Sequence, residues 1–139
     1  MRPFHLALPV TDLEATRHFY VEIIGCELGR ESPRKWIDFD IFGNQMSAHL
    51  HESSLANVAC GDVDGDAVPV PHFGVVMTPG EFKILSQRLI DYPKTDWVLH
   101  PRTRFANQPG EQSTLFIRDP SGNALEFKAF AEDSAIFAQ

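Results

Sequence analysis

Three side chains in the 139-residue chain have types and positions from which chemistry can be built. His5 and His72 each lie in a stretch that reads as a strand, PFHLALPV and PHFGVVM. Glu126 falls in Leu125-Glu126-Phe127 within the last such stretch. Taken singly, each histidine also reads as a half-buried strand residue satisfied by a neighbouring carbonyl. Glu126 shares its face with Ala124 and Lys128, and a buried strand carboxylate needs a partner. Brought together, two imidazoles and one carboxylate with open coordination positions form a facial set. Such a set suits Fe(II), the expected metal, and also accepts Mn, Zn or Ni. The open positions are where a substrate oxygen or dioxygen would bind.

The elements that must position these residues are written twice. Residues 3–10 read as a strand. Thr11-Asp-Leu-Glu14 has the T-x-x-E form of a capping box, and Leu13, Thr16, Tyr20 and Ile23 recur at helical spacing, so 12–24 is an expected helix ending at Gly25. Strands are expected near 26–30, 35–42 and 45–51, the last two joined at Gly43-Asn44. Polar residues 52–68 read as a linker. The pattern then restarts with a strand at 71–77, a second box at Thr78-Pro79-Gly80-Glu81, and a helix to about Tyr92. Strands are expected again near 96–101, 113–118 and 123–129, with Asp119-Pro-Ser-Gly-Asn123 as the final turn.

Residue identities support the repeat. An offset of 67 places His5 on His72, Thr11 on Thr78 and Glu14 on Glu81. An offset of 79 places Gly43-Asn44 on Gly122-Asn123 and Asp40 on Asp119. The extra 12 residues are assigned to a loop at 101–112. The expected fold class is therefore α+β: two tandem βαβββ modules whose curved mixed sheets enclose a shared metal cleft. Module 1 covers about 3–51, the linker 52–68, module 2 about 69–130 and a tail 131–139, all within one domain.

This pattern resembles the vicinal-oxygen-chelate superfamily, which contains glyoxalase I, extradiol dioxygenases, fosfomycin-resistance enzymes and bleomycin-binding proteins. The resemblance runs from FHLALPVTDLEATRHFY through VPHFGVVM to RDPSGNALEFKAF. DPSGNALEF is similar to that superfamily's carboxylate strand and VPHFGV to its second histidine strand. The resemblance implies His5, His72 and Glu126 as metal ligands. It is strongest to the bacterial branch described as extradiol-dioxygenase-like.

Two departures matter. The 79 offset carries Glu126 onto Ser47, so the first half lacks the carboxylate that glyoxalase I uses as ligand and base. Gln45, Ser47 and His49 share one strand face at period two, and among them His49 is the candidate catalytic base, with a structural or surface role as the alternative. Ring-cleaving relatives place a tyrosine where this chain has Phe116 and a histidine where it has Asn107, Gln108 and Pro109. Phe116 cannot donate a hydrogen bond, so ordinary catechol cleavage is not expected. His49 or His100 could substitute from another strand.

Other features carry less. Arg102 and Arg104 are candidate substrate-binding residues on the 101–112 loop, which reads either as a lid over an anionic substrate or as a surface loop; Phe116 joins them as a candidate on the substrate side. Asp62-Val-Asp64-Gly65-Asp66 resembles a calcium-loop fragment, but its glycine comes one position early and Phe73 stands where a glutamate is needed, so a solvated loop is the reading. Trp36, Phe39 and Phe127 read as core, and Cys26 and Cys60 as inert thiols.

Twelve Lys and Arg against 19 Asp and Glu give a formal charge of −7, which argues against nucleic acid or an anionic membrane as partner. Two cysteines exclude a disulfide scaffold. The N-terminal MRPFHLALPV lacks a signal peptide's apolar run and no stretch is long enough to span a bilayer, so a cytoplasmic protein is expected. The expected function is a divalent-metal-dependent, dioxygenase-like enzyme acting on a small molecule with vicinal oxygens. The alternatives are a glyoxalase-like isomerase or lyase, or a metal-free drug-binding protein of the bleomycin-resistance type. A homodimer is expected from the resemblance.

Overall fold

Each half of the sequence builds one four-stranded mixed sheet and one helical segment. The computed structural model describes residues 2–51, 59–63 and 65–138. Its contacts divide the chain into two compact units: Met1–Asn57 with Asp119–Asn123, and Val58–Arg118 with Ala124–Gln139.

In the first unit the order is β1 (His5–Val10), α1 (Leu13–Arg17), β2 (Glu27–Ser32), β3 (Trp36–Ile41) and β4 (Asn44–Leu50). The sheet order is β1-β4-β3-β2, with β1 parallel to β4 and the other pairs antiparallel. The apolar positions at period two, Ile37, Phe39 and Ile41 on β3 and Met46 and Ala48 on β4, are buried. With them lie Phe19, Tyr20, Ile23 and Ile24 of the helical segment. His5, Gln45, Ser47, His49 and Asp38 therefore take the opposite face.

The expected single helix over 12–24 is instead α1 continued by a π-helical stretch, His18–Ile24, whose end is marked by Gly25 and Cys26 both donating to the Tyr20 carbonyl. The first T-x-x-E box does not form either. Asp12 is the cap, accepting from the Ala15 amide at 2.9 Å, while the Thr11 amide donates to Ser121 Oγ at 2.9 Å. Asp12 caps as well as threonine does, and Thr11 has a tertiary partner that local spacing cannot reveal. The β3–β4 turn is Phe42-Gly43, both left-handed (φ 52 and 87), one residue earlier than the Gly43-Asn44 expected.

The second unit repeats the plan with β7 (Phe73–Met77), α2 (Pro79–Asp91), β8 (Asp96–Arg104), β9 (Gln112–Arg118) and β10 (Ala124–Phe130), in sheet order β7-β10-β9-β8. Here the capping box forms as read: Thr78 Oγ1 accepts from the Glu81 amide, and the Glu81 carboxylate accepts from the Thr78 amide. Those Thr78 hydrogen bonds hold the Glu81 carboxyl below its usual range. Leu115, Ile117, Leu125, Phe127 and Leu89 are fully buried, which leaves Glu126 and Lys128 on the other face of β10.

Two expectations about connections are corrected. The 52–68 linker contains a hairpin, β5 (Ala59–Val63) with β6 (Asp66–Val70), turning near Gly65 (φ 85). Its aspartates read as a solvated linker, yet Val68 on β6 is fully buried. Asp64 of the calcium-like fragment lies outside the described residues. The 101–112 loop is shorter than expected because β8 continues to Arg104, with register shifts on either side of Leu99. Pro101 has no N–H for a regular ladder, and such irregularities accommodate it. Among the described residues no helix is long and apolar enough to cross a membrane.

Asp119 is the buried polar centre of the first unit. Its carboxylate accepts from Tyr20 Oη at 2.9 Å, Asn123 Nδ2 at 2.8 Å, and the Ser121 and Asn123 amides at 2.9 Å. Burial raises its pKa above the usual aspartate range, and the hydrogen bonds from Asn123, Tyr20 and Ser121 oppose that rise. The folded chain thus holds this proton more tightly than the unfolded chain. The stabilisation is full below the usual aspartate range and declines as pH rises through the elevated value. Tyr20→Phe removes one bond to the ionised form, and is expected to destabilise by about 1.5–3 kcal/mol at pH 7. Urea unfolding at pH 7 and pH 3 checks this, with a smaller loss expected at the lower pH.

Candidate functional site

His72 and Glu126 meet within the second unit. His72 is the residue before β7 rather than a member of that strand, and β7 runs parallel to β10 with Gly74 opposite Glu126. The His72 Nδ1 lies 2.7 Å from the Pro69 carbonyl oxygen, so Nδ1 carries the proton and donates it. A neutral ring held this way presents a bare Nε2, and that atom stands 3.3 Å from Glu126 Oε2. The other carboxylate oxygen, Oε1, accepts from Thr114 Oγ1 at 2.8 Å and from Lys128 Nζ at 3.2 Å. His72, Gly74, Glu126 and Lys128 line a cleft of about 220 Å³.

Two electron-rich atoms aimed at each other require a shared cation or a proton. Two donors each about 2.1 Å from one ion, at right angles, lie about 3 Å apart, so the pair fits a divalent metal. The carbonyl behind His72 and the hydroxyl behind Glu126 are the outer contacts that fix ligand orientation at metal sites. Among the described residues no group of three His, Cys, Asp or Glu side chains gathers at one point.

His5 opens β1 in the first unit, and its Nδ1 lies 3.0 Å from Gln45 Oε1. It is therefore in the same tautomer as His72, with Nε2 as the available base. Beside it, β3 and β4 pair Asp38 with Ser47, and Ser47 Oγ donates to Asp38 Oδ1 at 2.5 Å. Asp38 is only 6% exposed, and its Oδ2 lies 3.4 Å from Arg30 Nη2. Asp38, Asp40, Arg30 and Gln45 line a second cleft, of about 280 Å³. Asp38 was not among the candidates read from sequence. The available signal was an aspartate flanked by Ile37 and Phe39 in a buried strand.

The remaining candidates are scattered over both units. His49 is exposed near the end of β4, on the face of Gln45 and Ser47. Phe116 is buried, its ring edge-on to His72 at 4.9 Å, so it packs the imidazole. Arg102 and Arg104 lie on β8 and both engage Asp66, the second at 3.3 Å, which places them in an ion-paired strand rather than a lid. His100 stacks on Trp97 at 4.6 Å. Phe39 and Phe127 are core, while Trp36 is half-buried with the Arg30 guanidinium 6.0 Å from its ring. Burial, with Asp40 adding to it, pushes the Cys26 thiol up to about 12, so it is no nucleophile. The Cys60 side chain lies outside the described residues.

No family model and no curated protein matches the chain. Solved structures do. A glyoxalase/bleomycin resistance protein/dioxygenase from Alicyclobacillus acidocaldarius is 31% identical with a TM-score of 0.78, over 97% of this chain and 96% of that one. A fosfomycin resistance protein from Listeria monocytogenes is 18% identical with a TM-score of 0.68, over 94% and 93%. A lactoylglutathione lyase from Agrobacterium tumefaciens is 19% identical with a TM-score of 0.60, over 98% and 96%. The last two share the fold. The first, with the two four-stranded mixed sheets, shows that the chain belongs to the glyoxalase/bleomycin resistance/dioxygenase family of the vicinal-oxygen-chelate superfamily.

The approach of β7 to β10 depends on Gly74, where a Cβ would stand 1.5 Å from the Glu126 carbonyl oxygen. Gly74→Ala must push the strands apart. It is expected to destabilise by about 1–3 kcal/mol in urea unfolding and to separate His72 from Glu126.

Proposed function

We propose that the protein is a divalent-metal-dependent enzyme acting on a small molecule with two vicinal oxygens, its metal held by His5, His72 and Glu126. The observation that carries this reading is His72 Nε2 facing Glu126 Oε2 at 3.3 Å while Nδ1 is committed to the Pro69 carbonyl. His5, locked by Gln45 in the same tautomer, is the third ligand, contributed by this chain or by a second copy in a homodimer. Fe(II) is the metal this set suits best, with Mn, Zn and Ni as alternatives. When bound, the metal supplies a Lewis acid that lowers the energy of an enolate or catecholate.

The chain's own residues narrow the reaction class. Thr114 and Lys128 occupy Glu126 Oε1 and leave Oε2 as the ligating oxygen. Phe116 steadies the His72 ring but offers no proton to bound oxygen. Ser47, at the position pseudo-equivalent to Glu126, brings no carboxylate to the first unit's last strand. The dioxygenase-like reaction class is the first reading, with a glyoxalase-like isomerase or lyase as the alternative.

Metal analysis of protein purified without chelators is expected to find stoichiometric metal in the wild type. His72→Ala and Glu126→Ala should each lower metal affinity by at least about tenfold. A metal-free, folded wild type that takes up no Fe(II), Zn or Ni would overturn the reading. After anaerobic Fe(II) loading, oxygen uptake with a panel of catechols is expected to be weak or absent, because Phe116 replaces a proton donor. Rapid uptake would show that Phe116 does not limit the chemistry.

A further inference from the structure

The two units place their carboxylates differently. In the second, β9 and β10 pair Phe116 with Glu126; in the first, β3 and β4 pair Asp38 with Ser47. Since Ser47 stands for Glu126 in the repeat, Asp38 stands for Phe116. The first unit has moved its acid one strand over.

Asp38 has the features of a working group rather than a structural one. It is almost fully buried from the flanks, yet it lines the cleft that also holds Gln45, the residue that fixes His5. Oδ1 is occupied by the Ser47 hydroxyl at 2.5 Å, which orients the carboxylate. The cation at Oδ2, Arg30, approaches only to 3.4 Å and its side chain is 81% exposed, so it can move away from Oδ2 without unpacking. A structural buried carboxylate is normally closed on both oxygens by short hydrogen bonds, as Asp119 is here, whereas Asp38 Oδ2 has a long 3.4 Å hydrogen bond from the exposed Arg30.

We propose that Asp38 is a catalytic proton acceptor, and that Arg30 binds the substrate anion it creates. This rests on the metal-dependent reading of the site. A hydroxyl of a vicinal-oxygen substrate, entering the cleft that Arg30, Asp38 and Gln45 line, gives its proton to Asp38 Oδ2. The O–H electron pair stays on the substrate oxygen, which becomes an oxyanion, and Asp38 becomes a neutral acid. Arg30 then pairs with the new oxyanion instead of the neutralised carboxyl. Ser47 donates to Oδ1 throughout.

The probe is 4-nitrocatechol, a vicinal diol whose absorption reports ionisation, titrated with pH on Zn-loaded protein. Asp40, His5 and His49 share this face with Asp38 and Arg30 and are common to the variants compared, so differences report the substituted group. On the wild type, bound probe is expected to ionise at lower pH than free probe. D38N is expected to raise that midpoint by about one pH unit, a tenfold loss, and R30M to raise it by less. R30M alters an exposed side chain and folds even if D38N does not. Midpoints unchanged in folded D38N or, where D38N fails to fold, in R30M alone overturn the proposal. So does a shift confined to H49A, which would assign the proton to His49. Wild-type protein that takes up zinc but does not bind the probe overturns the vicinal-oxygen reading itself, and the proposal with it.

Discussion

The hydrogen bond from His72 Nδ1 to the Pro69 carbonyl is the constraint on which the candidate site depends. An imidazole free to choose its tautomer could satisfy Glu126 with a neutral N–H donor, and the pair would then be an ordinary structural contact. Committing the proton to Pro69 removes that choice. What remains is a lone pair aimed at a carboxylate, an arrangement that is unfavourable until a positive charge joins it. The strand geometry maintains the arrangement, because Gly74 lets β7 run against β10 and brings His72 beside Glu126. Thr114 and Lys128 then hold the carboxylate by its other oxygen.

The duplicated module explains how one chain comes to have two polar faces of similar plan and different content. Both halves bury one side of a four-stranded sheet under a helical segment, and both leave a period-two row on the other side. Residues along that row line the candidate clefts, and it is where the halves diverge. One carries His72, Glu126 and Phe116; the other carries His5, Gln45, Ser47 and Asp38. Placing the first unit's acid on β3 rather than β4 preserves a carboxylate while changing its neighbours from threonine and lysine to serine and arginine.

Much of the fold was legible because it is dictated by local periodicity. Apolar residues at period two marked β3, β4, β9 and β10, and Thr78-Pro79-Gly80-Glu81 marked the start of α2, each from residues within a few positions of one another. The hairpin at β5–β6 was not legible, since its aspartates resemble a solvated linker and its pairing stands out only once Val68 is seen to be buried. The same holds for Arg102 and Arg104. Their spacing suggests a lid, but Asp66, some forty residues earlier in the chain, holds them on a strand.

By itself the sequence determined the repeat and the helix and strand order within each module, and it offered His5, His72 and Glu126 as residue types able to hold a metal. All of these rest on side-chain chemistry and short-range spacing. The tertiary structure alone decided which nitrogen of each histidine is available, that Phe116 packs rather than donates, and that Asp38 rather than His49 is the buried group beside Ser47. For His5 and Phe116 this depends on the register between strands distant in sequence, and for His72 and Asp38 on the orientation of nearer partners, Pro69 and Ser47, that only the fold sets. Hydrogen-bond direction and desolvation are set by the fold, and no local pattern encodes them.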